Sequence, residues 1–241
     1  MQVQQQLPTT DGLLKQPVNK MAAISQDRKR TNLLRGLEQP ALLWLCNIMP
    51  KWVTPNMLTG LGLAGSVIVF AGFWLARTNV NFMWLAVAGW FINWLGDSLD
   101  GRIAYFRNIP RKWYGFTLDM CMDWISTFIV ALGFYYYLPA DYRVLAFSYM
   151  ATYGWSFVMA LLKYKLTNKY VIDTGGIVGP TELRVAICLV LLLEVAMPGS
   201  IKVFAVVVNI LMLIVNLISF NDVLNTGDQE DKRAKMASTQ Q

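Results

Sequence analysis

Four aspartates lie inside two stretches that are otherwise apolar enough to sit in a membrane, and few folds tolerate that. The stretch from Asp97 to Asp123 reads DSLDGRIAYFRNIPRKWYGFTLDMCMD. Apolar sequence runs into it from Asn79 to Gly96 and out of it from Trp124 to Leu138. An ionised aspartate near the centre of a spanning helix costs roughly 2.5–3.5 kcal/mol, so a group of them requires a compensating charge. Asp97 and Asp100 stand three apart and Asp119 and Asp123 four apart, so on helices each pair falls on one face. Two facing carboxylate pairs repel unless something strongly positive sits between them. Hard divalent cations take oxygen ligands of this kind, and Mg²⁺ needs only a few carboxylates plus phosphate oxygens and water. The spacing therefore predicts a metal site built from Asp97, Asp100, Asp119 and Asp123.

The rest of the chain suits a membrane setting. Of 241 residues, 55% are hydrophobic and only 15% charged. Several apolar runs reach the roughly 20 residues that a helix needs to cross a hydrocarbon core. Histidine is absent, which excludes histidine triads, histidine zinc sites and an imidazole base, so proton transfer falls to Asp, Glu, Lys or Tyr. Cys46, Cys121 and Cys188 form no CxxC pair and read as packing residues. The net charge of +6 is unevenly placed; it reads as topology information and attraction to lipid surfaces, not as a nucleic-acid interface.

The pattern predicts an all-α integral membrane protein of one domain, with no internal repeat. Residues 1–25 are Gln-rich, lack the apolar core of a signal peptide and are expected to form a disordered cytoplasmic tail. Residues 26–52 begin with Arg28, Lys29, Arg30 and Arg35, and their apolar section is too short to span. They are expected to form an amphipathic helix at the headgroup level. Six spanning helices are expected within residues 53–221, at about 55–76, 79–106, 113–138, 142–162, 181–197 and 201–220. Residues 222–241 are expected as a polar cytoplasmic tail. One set of helix ends gathers Arg107, Arg111, Lys112, Lys163, Lys165 and Lys169, together with the basic residues near both termini. The opposite ends hold only Arg77, Arg143 and Lys202. By the positive-inside rule, both termini and the Asp97–Asp123 hairpin face the cytoplasm.

As a pattern the central stretch is D-x-x-D-G-x-x-A, a short connection, then G-x-x-x-D-x-x-x-D. Asp97, Asp100, Gly101, Ala104, Gly115, Asp119 and Asp123 carry it. It strongly resembles the signature of the CDP-alcohol phosphotransferase family, integral membrane enzymes of phospholipid synthesis. Pro55, Asn56 and Thr59 look like the family's P-N-x-x-T opening to the first spanning helix. The resemblance implies a homodimer that transfers a phosphatidyl group from a CDP-alcohol, CDP-diacylglycerol above all, to the hydroxyl of a second alcohol, with release of CMP. It implies Asp97, Asp100 and Asp119 as ligands of Mg²⁺ or Mn²⁺, with Asp123 both base and ligand of a second ion. It also implies Asn56, Thr59, Gly101, Ala104 and Gly115 as nucleotide contacts. Gly101 and Gly115 would let a nucleotide approach the backbone, although membrane glycines also serve close helix packing.

One position departs from the family, which has arginine after the motif alanine where this chain has Tyr105. Asp97, Asp100, Ala104 and Arg107 fall at helical steps of three or four, so Arg107 is expected to supply the missing charge on the nucleotide side. On the acceptor side, Lys163, Lys165, Lys169 and Arg184 border the fourth and fifth spans. A phosphorylated acceptor would want such charges, and the positive-inside rule accounts for the lysines equally. Arg184 lies in an apolar run with Glu182 nearby, and either pairs with it or reaches the acceptor. Lys163 and Arg184 are thus the candidate acceptor contacts. The alternative function is a divalent-cation transporter using the same aspartates; against it, the carboxylates cluster at one membrane face instead of lining a path.

Overall fold

The structure, a computed structural model, describes residues 34–167 and 180–239. The expected tail of residues 1–25, together with Arg28, Lys29, Arg30 and Lys169, lies outside the described residues. Within them every regular element is helical: α1 (Arg35–Ile48), α2 (Pro55–Ala76), α3 (Met83–Phe106), α4 (Lys112–Tyr137), α5 (Arg143–Thr167), α6 (Pro180–Ala196) and α7 (Ser200–Thr239). Local sequence sets the boundaries. Thr54 accepts a hydrogen bond from the Met57 amide at 3.2 Å and Pro55 occupies the first turn, so α2 starts there. Asn79 caps a short 3-10 turn, Val80–Phe82, by accepting from the Asn81 amide at 3.0 Å; α3 therefore begins at Met83, four residues after the expected start.

Among the described residues, four helical segments are long and apolar enough to cross a membrane: Pro55–Ala76, Lys112–Tyr137, Ala140–Thr167 and Ser200–Met236. The other two expected spans are helices as well, α3 of 24 residues with its aspartates and α6 of 17. The packing of α7 is inside out by the standard of a soluble protein. Its buried residues include Asn209 and Asn216, while Ile210, Leu211 and Ile218 are exposed. Asn216 Nδ2 donates to the Thr152 carbonyl at 2.7 Å, and Ser156 Oγ donates to Asn216 Oδ1 at 2.6 Å. Polar side chains that hydrogen-bond between helices, with apolar ones turned outward, are what a lipid surround selects. The helix does not stop where its apolar run ends, and the polar residues from 222 onward continue it. It continues to Thr239, past Gly227 and into better helix formers from Gln229, supported by Lys232–Asp228 at 2.6 Å and by an Arg233–Glu230 pair.

The site-bearing helices are held by a seam of small residues. Gly62, Gly65 and Gly72 of α2 lie against Gly89, Gly96 and Ala86 of α3 so closely that backbones touch. A carbon added at Gly96 would meet the Leu58 carbonyl oxygen at 2.5 Å, and one at Gly89 would meet the Val69 amide nitrogen at 2.6 Å. Asn93 crosses the same seam, donating to the Gly62 carbonyl at 3.0 Å and to Ser66 Oγ at 3.1 Å. Helix α1 closes one end. It buries Leu42 and Cys46 against Leu58, Leu99 and Ile103, and leaves Trp44 and Ile48 exposed.

The seam predicts a contrast between two glycines of one helix. Gly96→Ala forces backbone apart and lowers stability by about 1–3 kcal/mol. Gly101→Ala meets no atom within 4 Å and leaves the thermal midpoint in detergent unchanged or slightly raised.

Candidate active site

The hairpin between α3 and α4 is made by its own sequence. After Phe106 the chain turns left-handed at Asn108 (φ 56°). The Asn108 amide bonds to the Tyr105 carbonyl at 3.1 Å and the Ile109 amide to the Ala104 carbonyl at 2.9 Å. This is a Schellman ending, with asparagine tolerating the left-handed position and Pro110 following to prevent further helix. It brings the last turns of α3 beside the first turns of α4, and with them the aspartates.

Asp97, Asp119 and Asp123 come together: each offers a carboxylate oxygen, these oxygens lie within 4.8 Å of one another, and all three side chains are half-buried. Asp100 stands slightly apart. Thr59 Oγ1 of α2 donates to its Oδ2 at 2.8 Å, and the Gly101 amide donates to its Oδ1 at 2.5 Å. Three of the four predicted carboxylates are therefore gathered within reach of one ion, and the fourth is tethered by Thr59. Arg184 of α6 brings a positive charge to the group, with its guanidinium on Asp97 Oδ2 at 2.7 Å. Of the two expectations for Arg184, the structure does not show the pairing with Glu182. Glu182, its supposed partner, instead accepts from the Leu34 amide at 2.9 Å. Helix α1 steadies this corner through Glu38, which takes Arg102 of α3 at 3.1 Å and Thr181 of α6 at 3.0 Å.

Gly101 and Gly115 are both exposed, and a carbon added at either would touch nothing within 4 Å. They are not packing glycines, in contrast to those of the α2–α3 seam. Ala104 is half-buried one turn beyond Asp100. Asn56, at the start of α2, donates through Nδ2 to Tyr114 Oη at 3.2 Å and accepts at Oδ1 from Arg111 at 2.6 Å. The Arg111 guanidinium also lies 4.0 Å from the centre of the Tyr114 ring.

Arg107 does not turn toward the carboxylates. One terminal nitrogen bonds the Val53 carbonyl at 2.5 Å and the other bonds the Met49 and Pro50 carbonyls at 3.2 and 2.8 Å. Its charge is spent on the carbonyls that end α1 and enter α2, where a cation is favoured. The helical-step argument fails because α3 ends at Phe106, leaving Arg107 as its C-cap. Lys163 is likewise committed elsewhere, to Asp222 of α7 at 2.5 Å. Two further residues of this region carried no site signal in the sequence. Arg111 reads there only as a topology charge. Tyr153 of α5, stacked on Trp124 and close enough to feel Asp123, Arg184 and Asp97, carries no motif signal beyond the aromatic richness of its helix.

The family model for CDP-alcohol phosphatidyltransferase matches residues 52–222, well over half of the chain and including all four aspartates. Among solved structures, the chain is similar to Mycobacterium tuberculosis phosphatidylinositol phosphate synthase with CDP-DAG bound. The TM-score is 0.54 at 21% sequence identity, covering 76% of this chain and 92% of the mycobacterial one. That likeness extends to the fold, while the family match extends to the signature itself. The chain belongs to the CDP-alcohol phosphatidyltransferase family, integral membrane transferases of phospholipid biosynthesis.

Proposed function

We propose that this enzyme moves a phosphatidyl group from CDP-diacylglycerol to the hydroxyl of a second alcohol and releases CMP. The gathering of Asp97, Asp119 and Asp123 beside two unobstructed glycines carries this reading. The CDP-DAG held by the mycobacterial protein supports the choice of donor. Nothing in the comparisons supports the transporter alternative.

The donor set is all oxygen, half-buried and within a few ångströms, which fits a hard divalent cation. Asp97, Asp100, Asp119 and Asp123 would hold Mg²⁺ or Mn²⁺, with ligands enough for a pair of ions. When bound, such ions supply positive charge to the pyrophosphate and to the departing CMP. The chain's own residues do the remainder. Asp123 takes the proton of the acceptor hydroxyl. The acceptor oxygen then bonds to the phosphorus bearing diacylglycerol, the bond from that phosphorus to the bridging oxygen breaks, and CMP leaves with the electron pair. Thr59 fixes the rotamer of Asp100. Gly101 and Gly115 admit the nucleotide against bare backbone, with Asn56 and Ala104 at its edge. Arg184 borders the carboxylates and is the cation we assign to an anionic acceptor; Lys163, held by Asp222, is left out.

Arg111 takes the part first assigned to Arg107. Held by Asn56 on one edge and by the Tyr114 ring on one face, its remaining N–H groups stay available for phosphate. It thus restores the charge that Tyr105 leaves out of the family pattern.

In the membrane, we assign α3 and α6 as spans beside the four longer segments, giving six. Helix α1 lies at the headgroup level through Trp44 and Ile48, and the loop charges set the carboxylates at the cytoplasmic face.

Purified protein given CDP-diacylglycerol, Mg²⁺ or Mn²⁺ and a panel of glycerol phosphate, inositol phosphate, inositol, serine and choline is expected to release CMP with one acceptor. Chelation should abolish release and added metal restore it. Asp123→Asn should lower turnover at least about a hundredfold, the scale of a lost general base. Failure with every acceptor, with the protein folded, would sink the reading.

For the arginines, Arg111→Ala is expected to raise the Michaelis constant for CDP-diacylglycerol about tenfold or more, the worth of a charged hydrogen bond. Arg111→Lys should recover part of the loss. Arg107→Ala is expected to lower thermal stability with little change in that constant. The reverse pattern would return the nucleotide role to Arg107.

A further inference from the structure

At the helix ends opposite the aspartates, three cations that are far apart in sequence meet around one cavity. Arg77 caps α2, Arg143 begins α5 and Lys202 lies in the first turn of α7. All three line a cavity of about 550 Å³ between the ends of these helices and of α4. Among the described residues they are the only Lys or Arg side chains that the loop-charge pattern assigns to that side of the bundle. A positive-inside chain has reason to keep cations away from this side, so their convergence calls for a local cause.

No carboxylate neutralises them. Among the described residues none of the three makes an ion pair. Each is set against a ring: Arg77 is 4.8 Å from the centre of Trp74, Arg143 5.3 Å from Tyr135 and Lys202 5.3 Å from Tyr142. Rings orient a cation but carry no net charge. The cavity wall does contain one acid, Glu194, which is only 2% exposed. Its oxygens are occupied: Oε1 accepts from Tyr137 Oη at 2.5 Å and the Gly199 amide at 2.9 Å. Oε2 accepts from Ser200 Oγ at 3.1 Å and the Ile201 amide at 2.8 Å. Glu194 thus caps the start of α7 and shapes the cavity floor. Asp141, in the neighbouring turn, is exposed and is not part of the wall. Three cations against one saturated carboxylate leave the cavity positive.

We propose that this cavity binds the phosphate of an anionic phospholipid in the leaflet opposite the carboxylates. The two guanidiniums offer paired N–H donors to phosphate oxygens and Lys202 adds a point charge. Trp74, Tyr135 and Tyr142 supply the amphipathic rings common at headgroup level. The acyl chains would lie along the apolar outer faces of the helices, where a soluble anion has nothing to bury. The site is separate from the transfer reaction and stands whichever acceptor that reaction uses.

The test is thermal unfolding of the full chain in neutral detergent with titrated phosphatidylglycerol, phosphatidylcholine or inorganic phosphate. Phosphatidylglycerol is expected to raise the midpoint saturably by several degrees, and the other two to leave it nearly unchanged. In Lys202→Gln and in Arg77→Gln/Arg143→Gln, each checked by gel filtration, that rise should fall by half or more. Lys202→Arg should keep it. An equal rise with phosphatidylcholine, or an undiminished rise in both charge-removing variants, would overturn the site. An equal rise with inorganic phosphate would overturn its lipid occupant. Should the double variant fail to fold, Lys202→Gln against Lys202→Arg decides alone.

Discussion

Repulsion among carboxylates governs this molecule. Four acids brought to neighbouring helical turns, partly out of water, repel with little screening and would drive α3 and α4 apart. The structure meets that repulsion with discrete devices. Arg184 reaches across from α6 to Asp97, and Thr59 of α2 donates to Asp100. The Schellman turn at Asn108 keeps the two aspartate-bearing helices in a tight hairpin. These contacts offset part of the repulsion at Asp97 and Asp100.

Such a group of carboxylates needs a rigid frame, and the glycine seam between α2 and α3 provides one. Side chains at Gly65, Gly72, Gly89 or Gly96 would collide with backbone, so the two helices cannot slide without losing contact along their length. Thr59 and Asp100, on opposite sides of the seam, inherit that precision. Helix α1 adds a clamp from outside. Arg107 bonds the carbonyls that lead from α1 into α2, and Glu38 ties α3 to α6 through Arg102 and Thr181. One helix at the bundle's edge thereby connects three of the elements that border the carboxylates.

The sequence exposed a good deal of this. The apolar runs and the spacing of the aspartates announced helices with acids on one face, because both follow from a period of 3.6 residues. Gly101 and Gly115 entered through the family motif, and the structure leaves both with nothing within 4 Å of an added carbon. The placement of long cations was not legible. Where a guanidinium ends depends on several rotatable bonds and on which carbonyls or acids other helices present, and no local spacing encodes that. Arg107 shares a face with Asp100 on paper, yet turns to the end of α1. Arg111 shares none, yet reaches Asn56. Arg184 found neither Glu182 nor open space but Asp97. The continuation of α7 past its apolar run was hidden similarly, since polarity marks where lipid ends and not where a helix does.

The claim on which all else rests is that these carboxylates exist to hold divalent cations. Titration of the purified chain with Mn²⁺, counting bound ions by the loss of the free-ion paramagnetic resonance signal, tests it without reference to substrate. The account predicts about two tightly bound ions per chain, as a paired-metal site requires, with Asp119→Asn removing at least one. Tight binding that Asp119→Asn leaves untouched, or no tight binding at all, would contradict it.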